Sequence, residues 1–168
     1  SVLAKNGKIY AAPCFANKVL EIDPTGETVT AKLVGDDLGN KPYKYITSVL
    51  ATNNKIYAAP CFANKVLEID PTGNEVTTKL VGDDLVPGYK YETSVLAGNG
   101  KIYAAPYDVN KVLEIDPTGN EVTTTLINTG LGDGKRKYRT SVLAKNGKIY
   151  AAPHNTNEVL EIDPTGET

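Results

Sequence analysis

The chain has 168 residues, 40% of them hydrophobic and 23% charged, with a formal net charge of −2. That length supports one domain with a sizeable core, and that composition is globular rather than disordered. The near-balanced charge excludes a general nucleic-acid binder, which needs a concentrated basic footprint, and no apolar run approaches the ~20 residues of a membrane-spanning helix. No Met opens the chain and no signal-peptide pattern is present, as expected of a processed chain or a fragment.

In chain order, "SVLA" at Ser1 reads as a first short strand, and Asn6-Gly7 as a tight hairpin turn with both residues at positive φ. "KIYAA" is a second strand and "KVLEID" a third, rich in β-branched and long apolar residues. "DPTG" is a turn in which Asp accepts a local hydrogen bond, Pro fixes φ and Gly takes the strained position. "ETVTAKLVG" alternates with period two and reads as a fourth strand. The unit then restarts: "SVLA" recurs at Ser48, Ser94 and Ser141, at spacings of 47, 46 and 47. In the second copy Asn53-Asn54 stands where the others have Asn-Gly.

No segment carries a helical stripe. Four antiparallel strands per ~45-residue unit, repeated in tandem, predict an all-β chain folded as a β-propeller. A β-solenoid is the rival, but its coils are usually shorter and lack tight hairpins. The units run 1–47, 48–93, 94–140 and 141–168, one repeat domain whose last blade lacks its outer strand.

The order "SVLA-x-NG-KIYAAP", "NKVLEIDPTG", "VTAKLVG" resembles the YVTN-type repeat of β-propellers. There a "YV"-type strand, a short loop, a "V-x-V-I-D" strand and a "V-x-x-x-I-x-V-G" strand follow one another. The resemblance runs over essentially the whole chain, with Tyr-Ala-Ala-Pro in place of the namesake tetrapeptide. The period is also similar to that of tachylectin-type sugar-binding propellers, whose repeated Trp is absent here. The resemblance implies a propeller and, as a ligand class, saccharide.

Variation between the copies is not spread evenly. The "NG" and "DPTG" end hardly changes. At the opposite end the loop between strands two and three reads Cys14-Phe15-Ala16, Cys61-Phe62-Ala63, Tyr107-Asp108-Val109 and His154-Asn155-Thr156. The connection to the next blade at that same end is long and varied as well. Loops on a rigid scaffold are where binding residues collect. The candidate ligand-binding residues are therefore Tyr43, Tyr45, Tyr89, Tyr91, Tyr107, Asp108, Tyr138, His154 and Asn155, with Asp36, Asp37, Asp83 and Asp84 nearby. Tyr faces stack on sugars or other planar groups, and carboxylates accept from hydroxyls. Relaxed loop drift after duplication is the competing reading.

Other chemistry is weaker. Glu21 and Asp23 lie on one face of a strand, but the pair recurs at Glu68/Asp70, Glu114/Asp116 and Glu161/Asp163, as scaffold does. Cys14 and Cys61 occupy equivalent places on adjacent blades, expected about 10 Å apart, beyond the ~7 Å a disulfide spans. His154 is the single His, with no metal-ligand spacing around it. The Asp36-Asp37 and Asp83-Asp84 pairs lack a calcium-loop continuation. "KRKYR" from Lys135 to Arg139 reads as a solvated basic connection.

The expectation is a non-enzymatic binding or scaffold propeller, lectin-like on its varied face, with no cofactor, no metal, no nucleic acid and no membrane. The alternative is a purely structural repeat module, natural or made by amplifying one blade. A homodimer, two chains closing an eight-bladed ring, is the expected partner arrangement.

Overall fold

A computed structural model describes residues 1–166 as four antiparallel sheets and no helix. The first blade is β1 (Val2–Leu3), β2 (Ile9–Ala11), β3 (Val19–Asp23) and β4 (Thr30–Val34). The second is β5 (Val49–Leu50), β6 (Ile56–Ala58), β7 (Val66–Asp70) and β8 (Thr77–Val81). The third is β9 (Val95–Leu96), β10 (Ile102–Ala104), β11 (Lys111–Asp116) and β12 (Thr123–Asn128). The fourth has three strands, β13 (Tyr138–Leu143), β14 (Ile149–Pro153) and β15 (Leu160–Ile162). Every sheet runs in sequence order, the up-and-down meander of a propeller blade. The last two residues of the fourth unit, 167 and 168, lie outside the described residues.

Strand register gives each blade two different faces. Val2, Tyr10 and Glu21 share one face of the first blade; Leu3, Ile9 and Ile22 share the other. The Tyr face of each blade packs against the Ile face of the next. Tyr10 and Val19 meet Ile56, Ala58, Leu67 and Ile69. Tyr57 and Val66 meet Ile102, Ala104, Leu113 and Ile115. Tyr103 and Val112 meet Ile149, Ala151, Leu160 and Ile162. These three clusters are the core, and they account for strands apolar on both faces. Among the described residues no fourth cluster joins the last blade to the first, so the blades form an arc.

The turns differ in detail from their expected form. Gly7 N–H donates to Ala4 O (3.1 Å) while Ala4 N–H donates to Lys8 O (2.9 Å). Only Gly7 is at positive φ (80°), so the hairpin is a tight turn ending in one left-handed residue, not two. Asn54 fills that place in the second blade at φ 67°, a conformation Asn tolerates. The "DPTG" glycines are not left-handed, contrary to the strained role expected of them. There Asp23 Oδ1 accepts from the Thr25 backbone (3.0 Å) and hydroxyl (2.6 Å), and those two bonds, with Lys8 adding, pull its carboxyl down to about 2.

Candidate functional site

The two ends of the arc are built differently. At the uniform end Asn6 Nδ2 donates to Tyr10 OH (3.0 Å) and across to Pro71 O of the next blade (3.4 Å); Asn53 and Asn99 repeat this with Pro117 O and Pro164 O. Beside it Tyr10 OH donates to Glu21 (3.0 Å), and Lys8 bridges Glu21 (3.2 Å) and Asp23 (3.1 Å). Equivalent Lys–Glu–Asp bridges stand in the other three blades. The carboxylate pair is thus committed to its own blade. Grooves lie between blades here, about 460 Å³ between the third and fourth and about 350 Å³ between the first and second. Both are walled by these repeated residues, so neither is a unique site.

The varied end is held by backbone hydrogen bonds running from blade to blade. Lys44 N–H donates to Cys14 O (3.1 Å), Cys61 N–H to Lys44 O (2.9 Å) and Lys90 N–H to Cys61 O (2.8 Å). Tyr107 N–H then donates to Lys90 O (2.7 Å), Lys137 N–H to Tyr107 O (2.9 Å) and His154 N–H to Lys137 O (2.8 Å). The positions whose side chains change most therefore have a main chain tied by hydrogen bonds to the neighbouring connections. A peptide bond does not depend on its side chain, so Cys, Tyr and His all fit the same place.

The lysines of this relay are a feature the sequence reading missed. Lys44, Lys90 and Lys137 are 3%, 1% and 2% exposed, and each ammonium curls back onto a carbonyl, of Lys41, Gly88 and Gly134 respectively. Burial lowers all three pKa values, and Lys90 falls to about 8. The signal was available: "YKY", "YKY" and "RKY" are constant islands inside otherwise varied connections.

Four of the nominated tyrosines are not surface residues, Tyr107 among them at 5% exposed. Tyr45, Tyr91 and Tyr138 are at most 1% exposed, and their hydroxyls donate to Lys65 O (3.0 Å), Lys111 O (3.2 Å) and Glu158 O (3.0 Å). They join connection to neighbouring blade, and no ring face is free to stack on a ligand. Bridges to Pro60, Pro106 and Pro153 of the following blade draw them into the core, which residue type alone did not reveal. Cys61 is buried too, its thiol pushed up to about 11 by that burial, and both cysteines are free.

What remains exposed sorts into two halves. On the first two blades Phe15 packs edge-on to Tyr43 (4.7 Å between centroids), Tyr43 lies 5.4 Å from Tyr89, and Phe62 is edge-on to Tyr89 (5.2 Å). Tyr43 is held at φ 55°, a strained position for an aromatic residue. On the third and fourth blades the equivalent positions are polar. Arg139 Nη2 donates to Tyr107 OH (3.0 Å), its guanidinium sits 5.6 Å from that ring, and its Nε pairs with Glu92 (3.4 Å). Arg136, also left-handed at φ 58°, gives its N–H to Asp108 Oδ1 (2.8 Å). His154 Nδ1 lies 3.1 Å from Arg136 O, and Asn155 Nδ2 donates to Lys135 O (3.0 Å). "KRKYR" is therefore partly structural: Lys137 is buried and Arg139 is paired. Asp37 is also engaged locally, accepting from Asn17 (2.7 Å) and Gly39 N–H (2.8 Å). Among the described residues no group of three or more His, Cys, Asp or Glu converges.

The sequence matches no protein-family model and no curated protein. Solved structures do match. An inactive histidine-to-alanine variant of virginiamycin B lyase from Staphylococcus aureus, determined with quinupristin, aligns with 99% of this chain and 52% of its own at TM-score 0.73 and 16% identity. A streptogramin B lyase aligns with 98% of this chain and 50% of its own (TM-score 0.71, 16% identity). A putative 6-phosphogluconolactonase from Bacteroides uniformis aligns with 95% and 48% (TM-score 0.65, 18% identity). The chain thus spans about half the length of these structures. At such identities the likeness is one of fold, and it supports a propeller without the finer YVTN-type or tachylectin-type assignment. It also corrects the expectation of a non-enzyme: the neighbours named above are enzymes, and nothing in them points to a lectin or to an inert repeat module.

Proposed function

We propose that the varied end is a small-molecule site of an enzyme-type propeller, shaped for a ligand with a flat, partly apolar ring and an anionic or hydrogen-bonding end. The observation that carries this reading is the sorting of the exposed side chains: aromatic on blades one and two, cationic and hydrogen-bonding on blades three and four. Drift after duplication scatters residue types, whereas a ligand of mixed character needs them segregated. Tyr43, Tyr89, Phe15 and Phe62 would form the stacking wall, and Arg139, held by Glu92 and Tyr107, would meet the anionic end. His154, the single imidazole, is a residue type that can relay a proton. The lyase and lactonase names of the neighbours fit ring-bearing small molecules as the substrate class.

The chain has no Trp, so its emission is that of its ten tyrosines, of which Tyr43 and Tyr89 stand on this wall. Titration with a panel of aromatic carboxylates and lactones should give saturable quenching for at least one member. That binding should fall about tenfold or more in Tyr89→Ala, from the loss of about 1.4 kcal/mol of stacking. His154→Ala should keep binding and lose turnover. Binding unchanged in a Tyr43→Ala/Tyr89→Ala double variant would sink the reading.

A further inference from the structure

We propose that the two end faces of the arc are the two halves of one interface and are joined by a second copy of this chain, head to tail, into an eight-bladed ring. The interface already exists three times inside the chain, Tyr face against Ile face. At each internal contact the valine of the Tyr face is sealed: Val19 0%, Val66 0%, Val112 1% exposed. Its equivalent on the last blade, Val159, is 62% exposed, and Val142 on the inner strand of the same face is 64% exposed. The opposite end offers what they lack. Ile9 and Leu20 on the first blade occupy the places of Ile56 and Leu67, which are 0% exposed, yet are only half-buried themselves.

Polar contacts tell the same story. Asn6, Asn53 and Asn99 each donate across to a proline carbonyl of the next blade, whereas Asn146 donates only to its own Tyr150 OH (3.0 Å). Its missing acceptor is equivalent to Pro24 O of a first blade. Along the inner strands Thr47 pairs with Ser94 (3.4 Å) and Thr93 with Ser141 (2.8 Å); the next pair in that series is Thr140 with Ser1 of the second copy. Since the two faces differ, the contact is heterologous and a dimer satisfies both only by closing. The arc overlays about half of single chains of this fold, which leaves room for one more arc of equal size.

Native mass spectrometry and light scattering test this across micromolar dilution. The expected species is twice the 18.0 kDa chain. Val159→Arg buries an unpaired charge on one face and Leu20→Arg on the other, and each alone should weaken dimerisation at least about 100-fold. Mixing Val159→Glu with Leu20→Arg should restore a dimer, because one interface is then intact and the other carries opposite charges. Val142→Glu serves if Val159→Arg does not fold. A monomer at every concentration overturns the proposal and leaves these faces to blades of a longer polypeptide. A dimer that survives both arginine variants uses another surface and overturns it equally. A ladder of higher masses overturns the closed ring.

Discussion

Lys90 is the residue whose replacement is most informative. Its ammonium is 1% exposed and has one carbonyl partner, Gly88 O at 2.8 Å, with no carboxylate bonded to it. Burial lowers its pKa from 10.5 to about 8, which corresponds to about 3 kcal/mol of disfavoured charge at pH 7. Below about pH 8 both folded and unfolded chains hold this proton, so the cost is full and constant. Between about 8 and 10.5 the folded chain has released it while the unfolded chain still binds it, so stability rises with pH by about 1 kcal/mol from pH 8 to 9. Cys61 acts in the opposite sense over about pH 9 to 11, because burial raises its folded pKa. Lys90→Met keeps most of the stem and deletes the charge. It forfeits one hydrogen bond worth about 1 kcal/mol, so a net gain of about 1–2 kcal/mol at pH 7 is expected. Urea denaturation of both proteins from pH 7 to 9.5 measures this. The difference between them removes the part of the Cys61 contribution that comes from burial, its largest cause, and should shrink as pH rises. A variant destabilised by 2 kcal/mol or more, with a difference independent of pH, would refute the picture of an uncompensated buried ammonium.

Tyr91→Phe should cost about 1 kcal/mol by urea melting, from the lost bond to Lys111 O, and should leave ligand binding at the varied end unchanged. Gly82→Ala should cost about 1–3 kcal/mol, because φ is +74° and a Cβ would stand 2.4 Å from Thr124 Cγ2; Gly130→Ala, at φ +69° with open space around it, should cost less. Asp23, Asp70, Asp116 and Asp163 all have lowered pKa values, so the stability they contribute is present above their unfolded values near 3.8 and is lost as pH falls through the folded ones, about 2 for Asp23. An acid titration followed by circular dichroism should show a shallower unfolding limb in Asp23→Asn, and an unchanged limb would contradict the Thr25 and Lys8 contacts.

Much of the fold was legible because the repeat states it four times. Strand order, blade length and the separation of a uniform from a varied end follow from aligning the copies, and the register of Tyr10 against Glu21 places the carboxylate pair where scaffold would have it. What was not legible was depth. Tyr45 and Tyr43 are two residues apart in one varied connection, yet one is 1% and the other 39% exposed. Sequence variation marked the connection as loop, but the constant Lys-Tyr pair within it dips back between blades. Nothing in residue type separates a tyrosine that anchors a loop from one that presents a face.

That asymmetry explains how the varied end can change so freely. The uniform end is held by side chains: Asn6 to Tyr10 and Pro71, Lys8 to Glu21 and Asp23. Any substitution there removes a bond, so the copies agree. The varied end is held by main chain, from Cys14 to Lys44 to Cys61 and on to His154. Substitution there costs only what the side chain itself contributed. A repeat built this way keeps its blades in register while one rim explores residue types independently in each copy. The aromatic wall on two blades and the charged arc on the other two could then arise without disturbing the three apolar interfaces beneath them.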